Sequence, residues 1–186
     1  MRIISGFLKG KKIKYLKNAN TRPLRDSVKE NIFNIICHSK SVNIKILNSI
    51  VLDLYSGIGS FGIECISRGA KEVSFIEKDL RPVNILKDNL NLLSVKNKTK
   101  LFHGEINSQL DNKFENKFDI FFFDPPFSDN NFIENLKKIK QKNLFNKDHI
   151  IIIHREKKVS DNISDLIKIT IVKEYGRSKI IFGYFN

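Results

Sequence analysis

Short apolar segments alternate with helix-length segments over most of the chain, and this alternation restricts the fold more than any other feature. Five segments of five or six residues have the composition of buried strands, and longer amphipathic stretches follow most of them. Parallel strands need such long crossovers, whereas antiparallel strands can be joined by a short turn. The last two apolar segments flank residues 175–178 and therefore predict an antiparallel hairpin. The predicted strands are 50–54, 72–77, 99–103, 118–123, 149–154, 167–174 and 179–185.

This order of elements predicts an α/β fold with a doubly wound, mostly parallel seven-stranded sheet. Helices are expected between the strands, at 60–67, 82–93 and 130–142. At the start of the chain, residues 2–16 predict a basic β-ribbon, and a helix is expected to begin near Asp26. The length of 186 residues and the hydrophobic fraction of 41% are enough for one domain with a full core.

Positive charge is concentrated at the start of the chain. The formal net charge is +13, and residues 1–45 contain eleven Lys and Arg against two acidic residues. This segment therefore carries +9, and the remaining 141 residues carry +4. A basic patch at one end of a domain indicates a polyanionic partner, most often nucleic acid, although a solvated lysine-rich surface is the alternative. The apolar runs are too short for a membrane span or a signal peptide, so we expect a cytoplasmic protein.

A glycine-rich turn follows the first predicted strand. Gly57, Gly59 and Gly62 fit the GxGxxG pattern between a strand and a helix, where glycine lets a ligand approach the backbone. Glu77 ends the next strand, twenty residues beyond Gly57, and a carboxylate at that place commonly holds ribose hydroxyls. Asp53 precedes the glycines by four positions, where it would repel a pyrophosphate but attract an ammonium or sulfonium group. The segment therefore predicts a cofactor that carries a nucleoside.

Asp124-Pro125-Pro126-Phe127 closes the fourth predicted strand with a stiff corner that accepts hydrogen bonds. Neither proline has a backbone N–H, and φ is fixed at both. Asp124 is driven towards an extended conformation because it precedes a proline. Such a corner suits a planar substrate with an NH2 group, since the carboxylate and carbonyls hold the amine while Phe127 stacks on the ring. A proline-rich turn with Asp124 as the turn former is the alternative.

Together these motifs resemble the class I S-adenosylmethionine-dependent methyltransferases, and the acidic corner resembles their amino-methylating branch. Further segments, in the same order and with the same spacing, resemble those of the bacterial 16S rRNA guanine-N2 methyltransferase family, the RsmD-like proteins. The matching segments are 1–6, 21–23, 26–34, 54–57, 62–64, 67–70 and 175–176. The resemblance covers nearly the whole chain. It implies one methyltransferase domain over 1–186, with a basic substrate-binding extension at 1–45 and a cofactor-binding catalytic core at 46–186.

The family resemblance also implies roles for individual residues. The implied S-adenosyl-L-methionine site consists of Asp53, Tyr55, Gly57, Gly59, Glu77, Glu105 and Asp124. The implied catalytic residues are Asp124, Pro125 and Phe127. The implied RNA-binding residues are Arg22, Arg25, Pro126 and Phe127. The chain departs from the family pattern at Leu24, Arg25, Ser27, Glu105, His154 and Arg155.

The resemblance implies methyl transfer to the exocyclic N2 amine of a guanine in 16S rRNA, by direct displacement without a strong general base. The acidic corner would equally serve an adenine-N6 methyltransferase acting on DNA or RNA, so that alternative stays open. A nicotinamide-dependent dehydrogenase would need a substrate domain, for which 186 residues leave little room. A catalytically silent RNA-binding protein is the third alternative.

The expected partner is 16S rRNA within a small-subunit assembly particle, and the expected oligomeric state is a monomer without a membrane anchor. Cys37 and Cys65 lie on apolar helical sequence and are expected to pack in the core. No metal site is expected, because no CxxC pair is present and the four histidines are scattered.

Overall fold

The computed structural model describes residues 1–15, 24–129 and 131–186. Within these residues, seven strands form one mixed sheet. They are β1 (Ile50–Leu54), β2 (Glu72–Glu77), β3 (Thr99–His103), β4 (Phe118–Phe123), β5 (Phe145–Glu156), β6 (Ile167–Tyr175) and β7 (Ser178–Phe185). Their order in the sheet is β3-β2-β1-β4-β5-β7-β6, and β7 runs antiparallel to both of its neighbours. The predicted doubly wound, mostly parallel sheet is confirmed.

Helices pack on both faces of this sheet. They are α1 (Asp26–His38), α2 (Ser60–Ser67), α3 (Leu80–Leu92), α4 (Ile106–Gln109) and α5 (Phe132–Gln141). The helix α3 begins two residues before the predicted start, and Pro82 lies in its first turn, where a missing N–H costs no helical hydrogen bond. The sequence does not predict α4, because so short an element shows no apolar period. No helix within the described residues is long and apolar enough to cross a membrane.

The two faces of the sheet bury separate hydrophobic clusters, because successive strand residues point to opposite sides. In β4, Phe122 belongs to the cluster that contains residues of α1, α2 and α3. Phe121 and Phe123 belong to the other cluster, which contains residues of α4 and α5. The ring of Phe61 in α2 stacks between those of Phe33 and Phe122, with centroids 5.1 and 4.0 Å away. This stack fixes α1 and α2 against the middle of the sheet.

A fully buried carboxylate attaches the N-terminal segment to α2. Glu64 accepts the backbone N–H groups of Ile4 and Ser5 at 2.8 and 2.9 Å. The buried ammonium of Lys29, in α1, lies 3.7 Å from the same carboxylate and donates to the Arg2 carbonyl at 3.2 Å. A buried ion pair of this kind persists because backbone groups satisfy its remaining hydrogen-bonding capacity. The first residues of the chain are therefore tied to the helix that follows the glycine turn.

Two features of the N-terminal region differ from expectation. The predicted β-ribbon is smaller than expected. Within residues 1–15 it consists of one antiparallel bridge from Arg2 to Lys12, with backbone hydrogen bonds from Ile3 to Lys11, from Gly10 to Ile3 and from Ile13 to Met1. The chain between these residues turns onto α2 instead of extending the ladder. The prediction that Cys37 packs in the core is wrong, because this residue lies outside the buried face of α1, whereas Cys65 is buried.

The strand order places the functional motifs together. The chain runs outward from β1 to β3 on one side of the sheet and then returns to β4 on the other side of β1. In open α/β sheets, ligands bind outside the carboxyl ends of the strands at this reversal. The glycine turn follows β1 and the corner at Asp124 follows β4, so both lie at the same edge of the sheet.

Candidate active site

A cavity of about 1030 Å³ opens at the carboxyl ends of the central strands. Its volume is at the upper end of the usual range for small-molecule sites. The predicted site residues in its wall are Asp53, Tyr55, Gly57, Glu77, Glu105, Asp124, Pro125, Pro126 and Phe127. The glycine turn, the Glu77 carboxylate and the acidic corner therefore face one space, although they are far apart in the sequence.

The glycines of the turn have different roles. Gly57 has φ 53° and no atom within 4 Å of the place where a Cβ would stand, so a ligand can approach its backbone. Gly59 has φ 83°, and a Cβ there would lie 2.3 Å from Cδ1 of Leu86. Gly59 does not line the cavity but lets α2 begin in close contact with α3. The sequence pattern alone does not separate these two requirements.

Asp53 lies at the bottom of the site and is 1% exposed. Its carboxylate accepts the backbone N–H of Gly62 at 2.9 Å, which holds the first turn of α2 against β1. Burial raises the pKa of Asp53 well above its usual range, and the negative charges of Asp124 and Glu77 raise it further, against the Gly62 hydrogen bond. A cationic ligand beside Asp53 would oppose this shift and stabilise the charged carboxylate.

Glu77 closes β2 beside the glycine turn. One carboxylate oxygen accepts the Gly57 N–H at 2.7 Å, and the other accepts the Asp79 N–H at 2.9 Å. Burial raises the pKa of Glu77, and the backbone hydrogen bonds oppose that shift. These bonds fix the direction of the carboxylate and leave further lone pairs for a ligand. Among the described residues, no lysine or arginine forms an ion pair with Asp53, Glu77 or Asp124.

Tyr55 forms a rigid part of the cavity wall. Its φ is 58°, which is uncommon for a residue other than glycine. Its hydroxyl accepts the side-chain N–H of Asn135, a buried residue of α5, at 3.0 Å. Burial raises the pKa of the Tyr55 phenol far above its usual value, and nearby Asp129 adds to the shift, so the hydroxyl stays protonated. The hydrogen bond of the hydroxyl thus fixes the side chain of a residue whose backbone is strained. Backbone strain of this kind is common at functional sites.

The remaining predicted residues lie at the rim or beyond it. Glu105 is exposed, and its carboxylate lies 3.6 Å from the ammonium of Lys78. Arg25 occupies the N-cap position of α1 and does not line the cavity, whereas its neighbour Leu24 does. Arg22 lies outside the described residues. The contributions of Glu105, Arg25 and Arg22 to binding stay predictions.

A histidine from the neighbouring strand contacts the acidic corner. Nδ1 of His154, near the end of β5, lies 2.8 Å from Oδ1 of Asp124. The ring of Phe127 meets the imidazole edge-on, with centroids 5.8 Å apart and planes at 78°. No residue of the described chain donates a hydrogen bond to the carbonyl of Pro125, which lines the cavity. The corner therefore offers a carboxylate oxygen and a carbonyl to a ligand, beside an aromatic ring.

Arg155, the next residue of β5, supports the corner from the opposite face of the sheet. Its guanidinium is fully buried and donates to both oxygens of Asp161 at 3.0 and 2.9 Å. It also donates to the carbonyls of Pro126 and Asp129 at 3.1 and 3.2 Å, and its charge lies 4.6 Å from the ring centroid of Phe132. A planar guanidinium with several donors suits such a junction. The loop after β4 is therefore fixed by a buried ion pair.

The cavity wall fits S-adenosyl-L-methionine, the cofactor predicted from the sequence. Its carboxylates complement the sulfonium and ammonium charges and the ribose hydroxyls of that molecule, and the open Gly57 backbone allows close approach. The hydroxyl of Ser56, in the same wall, is buried and has no partner among the described residues. A bound polar ligand would satisfy this hydroxyl.

His154, Arg155 and Asn135 are site residues that the sequence reasoning does not identify. In the sequence, the two β5 residues are noted only as departures from the family pattern. A usable signal was present, because His154 and Arg155 are the first polar residues after the apolar run of a strand beside β4. Residues at that place meet the loop that follows the neighbouring parallel strand. Asn135 carries no comparable signal, since it is one polar residue in an amphipathic helix.

Comparisons with known proteins agree with this geometry. A family model described as Conserved hypothetical protein 95 matches residues 1–184. Ribosomal RNA small subunit methyltransferase D of Haemophilus influenzae is 32% identical over 159 residues, which cover 84% of this chain and 79% of that protein. The protein of the same name in Buchnera aphidicola subsp. Baizongia pistaciae is 30% identical over 185 residues, covering 100% of this chain and 91% of that protein. The solved yhhF protein of Escherichia coli has the same fold, with a TM-score of 0.85 and 24% identity over 100% of this chain and 98% of that one. The chain therefore belongs to the Conserved hypothetical protein 95 family, the RsmD-like methyltransferases that its motifs resemble.

Proposed function

We propose that this protein transfers the methyl group of S-adenosyl-L-methionine to the exocyclic N2 amine of a guanine in 16S rRNA. The observation that carries the proposal is the shared cavity, which is lined by the acceptor-rich corner at Asp124, by the glycine turn and by Glu77. Relatives named ribosomal RNA small subunit methyltransferase D support an rRNA substrate. The cofactor class is supported by the similar fold of a SAM dependent methyltransferase from Aquifex aeolicus, with a TM-score of 0.61.

The cofactor would lie along the carboxyl ends of β1 and β2. Glu77 would accept the ribose hydroxyls, and Asp53 with the backbone of Gly57 would hold the charged methionine end. When bound, S-adenosyl-L-methionine supplies a methyl group activated by its sulfonium charge. The protein's part is to bind, align and exclude water, for which the buried carboxylates and rigid turns are already in place.

The substrate amine would bind at the corner. The free oxygen of Asp124 and the carbonyl of Pro125 are two acceptors, and guanine presents two adjacent donors, the N1–H and the N2 amine, on one edge. The two hydrogens of an adenine N6 amine would satisfy the same acceptors, so the choice of guanine rests on the resemblance to the rRNA methyltransferase family and not on the corner. Hydrogen bonds from the amine would orient its lone pair and stabilise the positive charge that develops on it. Stacking on Phe127 would add about 1–3 kcal/mol of binding.

The N-terminal extension would bring RNA to this cavity. Met1 and Tyr15, at the two ends of the described N-terminal segment, both line the wall. Lysines of the same segment can neutralise phosphates without reading the sequence. A base must leave its stack to enter the cavity. We infer that the protein acts as a monomer and binds the rRNA of an assembling small subunit through this extension.

Replacing Asp124 by alanine tests the proposal. We expect turnover to fall by about 10²–10³-fold, the loss usual for an aligned polar group at a reacting centre, while the affinity for S-adenosyl-L-methionine changes much less. The matched control is Asp111→Ala, which removes an exposed carboxylate paired with Lys138 and Lys142 and should leave turnover unchanged. Near-normal turnover of Asp124→Ala would show that the amine binds elsewhere.

A further inference from the structure

The side chain of Asp124 needs an external partner to hold one orientation. The terminal torsion of an aspartate is broad, so a carboxylate without partners samples many directions. Pro125 and Pro126, which follow it, have no N–H with which to bond the carboxylate. The described hydrogen bond of this side chain comes from His154, whose Nδ1 lies 2.8 Å from Oδ1. The orientation of Asp124 therefore depends on the histidine.

We propose that His154 is a positioning residue that fixes the Asp124 carboxylate for the substrate amine. A carboxylate only accepts hydrogen bonds, so the imidazole must carry a proton on Nδ1. This bond occupies Oδ1 and leaves Oδ2 without a partner among the described residues, and both residues line the cavity. The inference rests on the proposed function, because it concerns the same amine.

The imidazole is itself held in place. Its side chain is 11% exposed, and its ring is packed edge-on against Phe127. His154 belongs to β5, and the preceding residues Ile152 and Ile153 pair with β4 immediately before the corner. The donor thus belongs to the rigid sheet, whereas the acceptor belongs to the loop. Such an arrangement aligns a loop carboxylate without using a group from the loop itself.

The ring and the donor can be tested separately. His154→Phe keeps a planar ring against Phe127 but removes the Nδ1 donor. His154→Asn loses the ring but places an amide N–H close to the position of Nδ1. We expect His154→Phe to lower kcat by about 10–100-fold, since a misplacement of about 1 Å costs that order, with the Kd for S-adenosyl-L-methionine within about twofold of wild type. His154→Asn should recover most of the lost kcat.

Wild-type kcat in His154→Phe, or equal losses in both variants, would overturn the proposal. Nitrogen NMR of the wild-type protein gives a second measurement that does not depend on the variants folding. It should show a proton on Nδ1, and a ring protonated on Nε2 alone would also overturn the proposal. If wild-type protein fails to methylate guanine at all, the proposed function fails instead, and the NMR result still decides whether the histidine donates to Asp124.

Discussion

Replacing Arg155 by methionine should destabilise the protein strongly, and the magnitude follows from its partners. The guanidinium is fully buried, and the side chain of Asp161 is 3% exposed. Removing one partner of a buried pair leaves an uncompensated charge and typically costs about 3–5 kcal/mol. The carbonyls of Pro126 and Asp129 lose a donor as well. Since total stabilities are about 5–15 kcal/mol, a large part of the stability depends on this junction.

Urea unfolding followed by circular dichroism measures this loss, and the midpoint of thermal unfolding should fall by roughly 10 °C. The matched control is Lys157→Met, which removes the neighbouring surface pair with Glu174, whose side chains are 48% and 53% exposed. That pair should contribute less than about 1 kcal/mol. The double variant Arg155→Met with Asp161→Val should recover most of the stability, because it leaves no buried charge unpaired. A loss below about 1 kcal/mol in Arg155→Met would refute the reasoning.

Three further predictions concern charged groups. The raised pKa of Asp53 means that its contribution to stability is present at low pH and lost as pH rises through that pKa. Asp53→Asn keeps an acceptor for the Gly62 N–H and removes the ionisable group. The variant should therefore unfold at a higher temperature than wild type in alkaline buffer and at the same temperature in acid. Its cofactor binding should be weaker. Glu77→Ala should weaken S-adenosyl-L-methionine binding by about tenfold or more, as the loss of a hydrogen bond to a charged group implies, and unchanged affinity in calorimetry would count against the ribose contact. Lys11→Gln with Lys12→Gln should lower the slope of log affinity for RNA against log salt by about 1–2 without changing kcat, and an unaltered slope would place the RNA elsewhere.

Much of the fold and part of the site follow from local sequence. Apolar runs of strand length and the helix-length segments between them fix the sheet, and the carboxyl-end rule brings Asp53, Glu77 and Asp124 to one edge. The contacts that support that edge come from residues distant in the sequence, so no periodic pattern in the sequence indicates them. Arg155 is a charged residue in a strand, and its burial becomes favourable only because Asp161 and two loop carbonyls converge on it.

Close packing between helices is likewise not indicated by the local sequence. The motif predicts that Gly59 contacts the cofactor, and that contact stays a prediction. Its φ of 83° and the approach of Leu86 in α3 both favour a glycine there for structural reasons. An exposed Cys37 likewise follows from the rotation of α1 about its axis, which single-residue hydrophobicity does not determine. Sequence patterns thus locate elements and functional edges, whereas side-chain partners from distant segments decide which residues at those edges face the ligand.

The identity of the methylated nucleoside tests the central claim most directly. Purified protein is incubated with S-adenosyl-L-methionine labelled in the methyl group and with small ribosomal subunits from cells that lack this activity, and the rRNA is digested and analysed by mass spectrometry. The account predicts label in N2-methylguanosine from 16S rRNA, with loss of that label in Asp124→Ala. Label in N6-methyladenosine, or no transfer by protein that binds the cofactor, would contradict it.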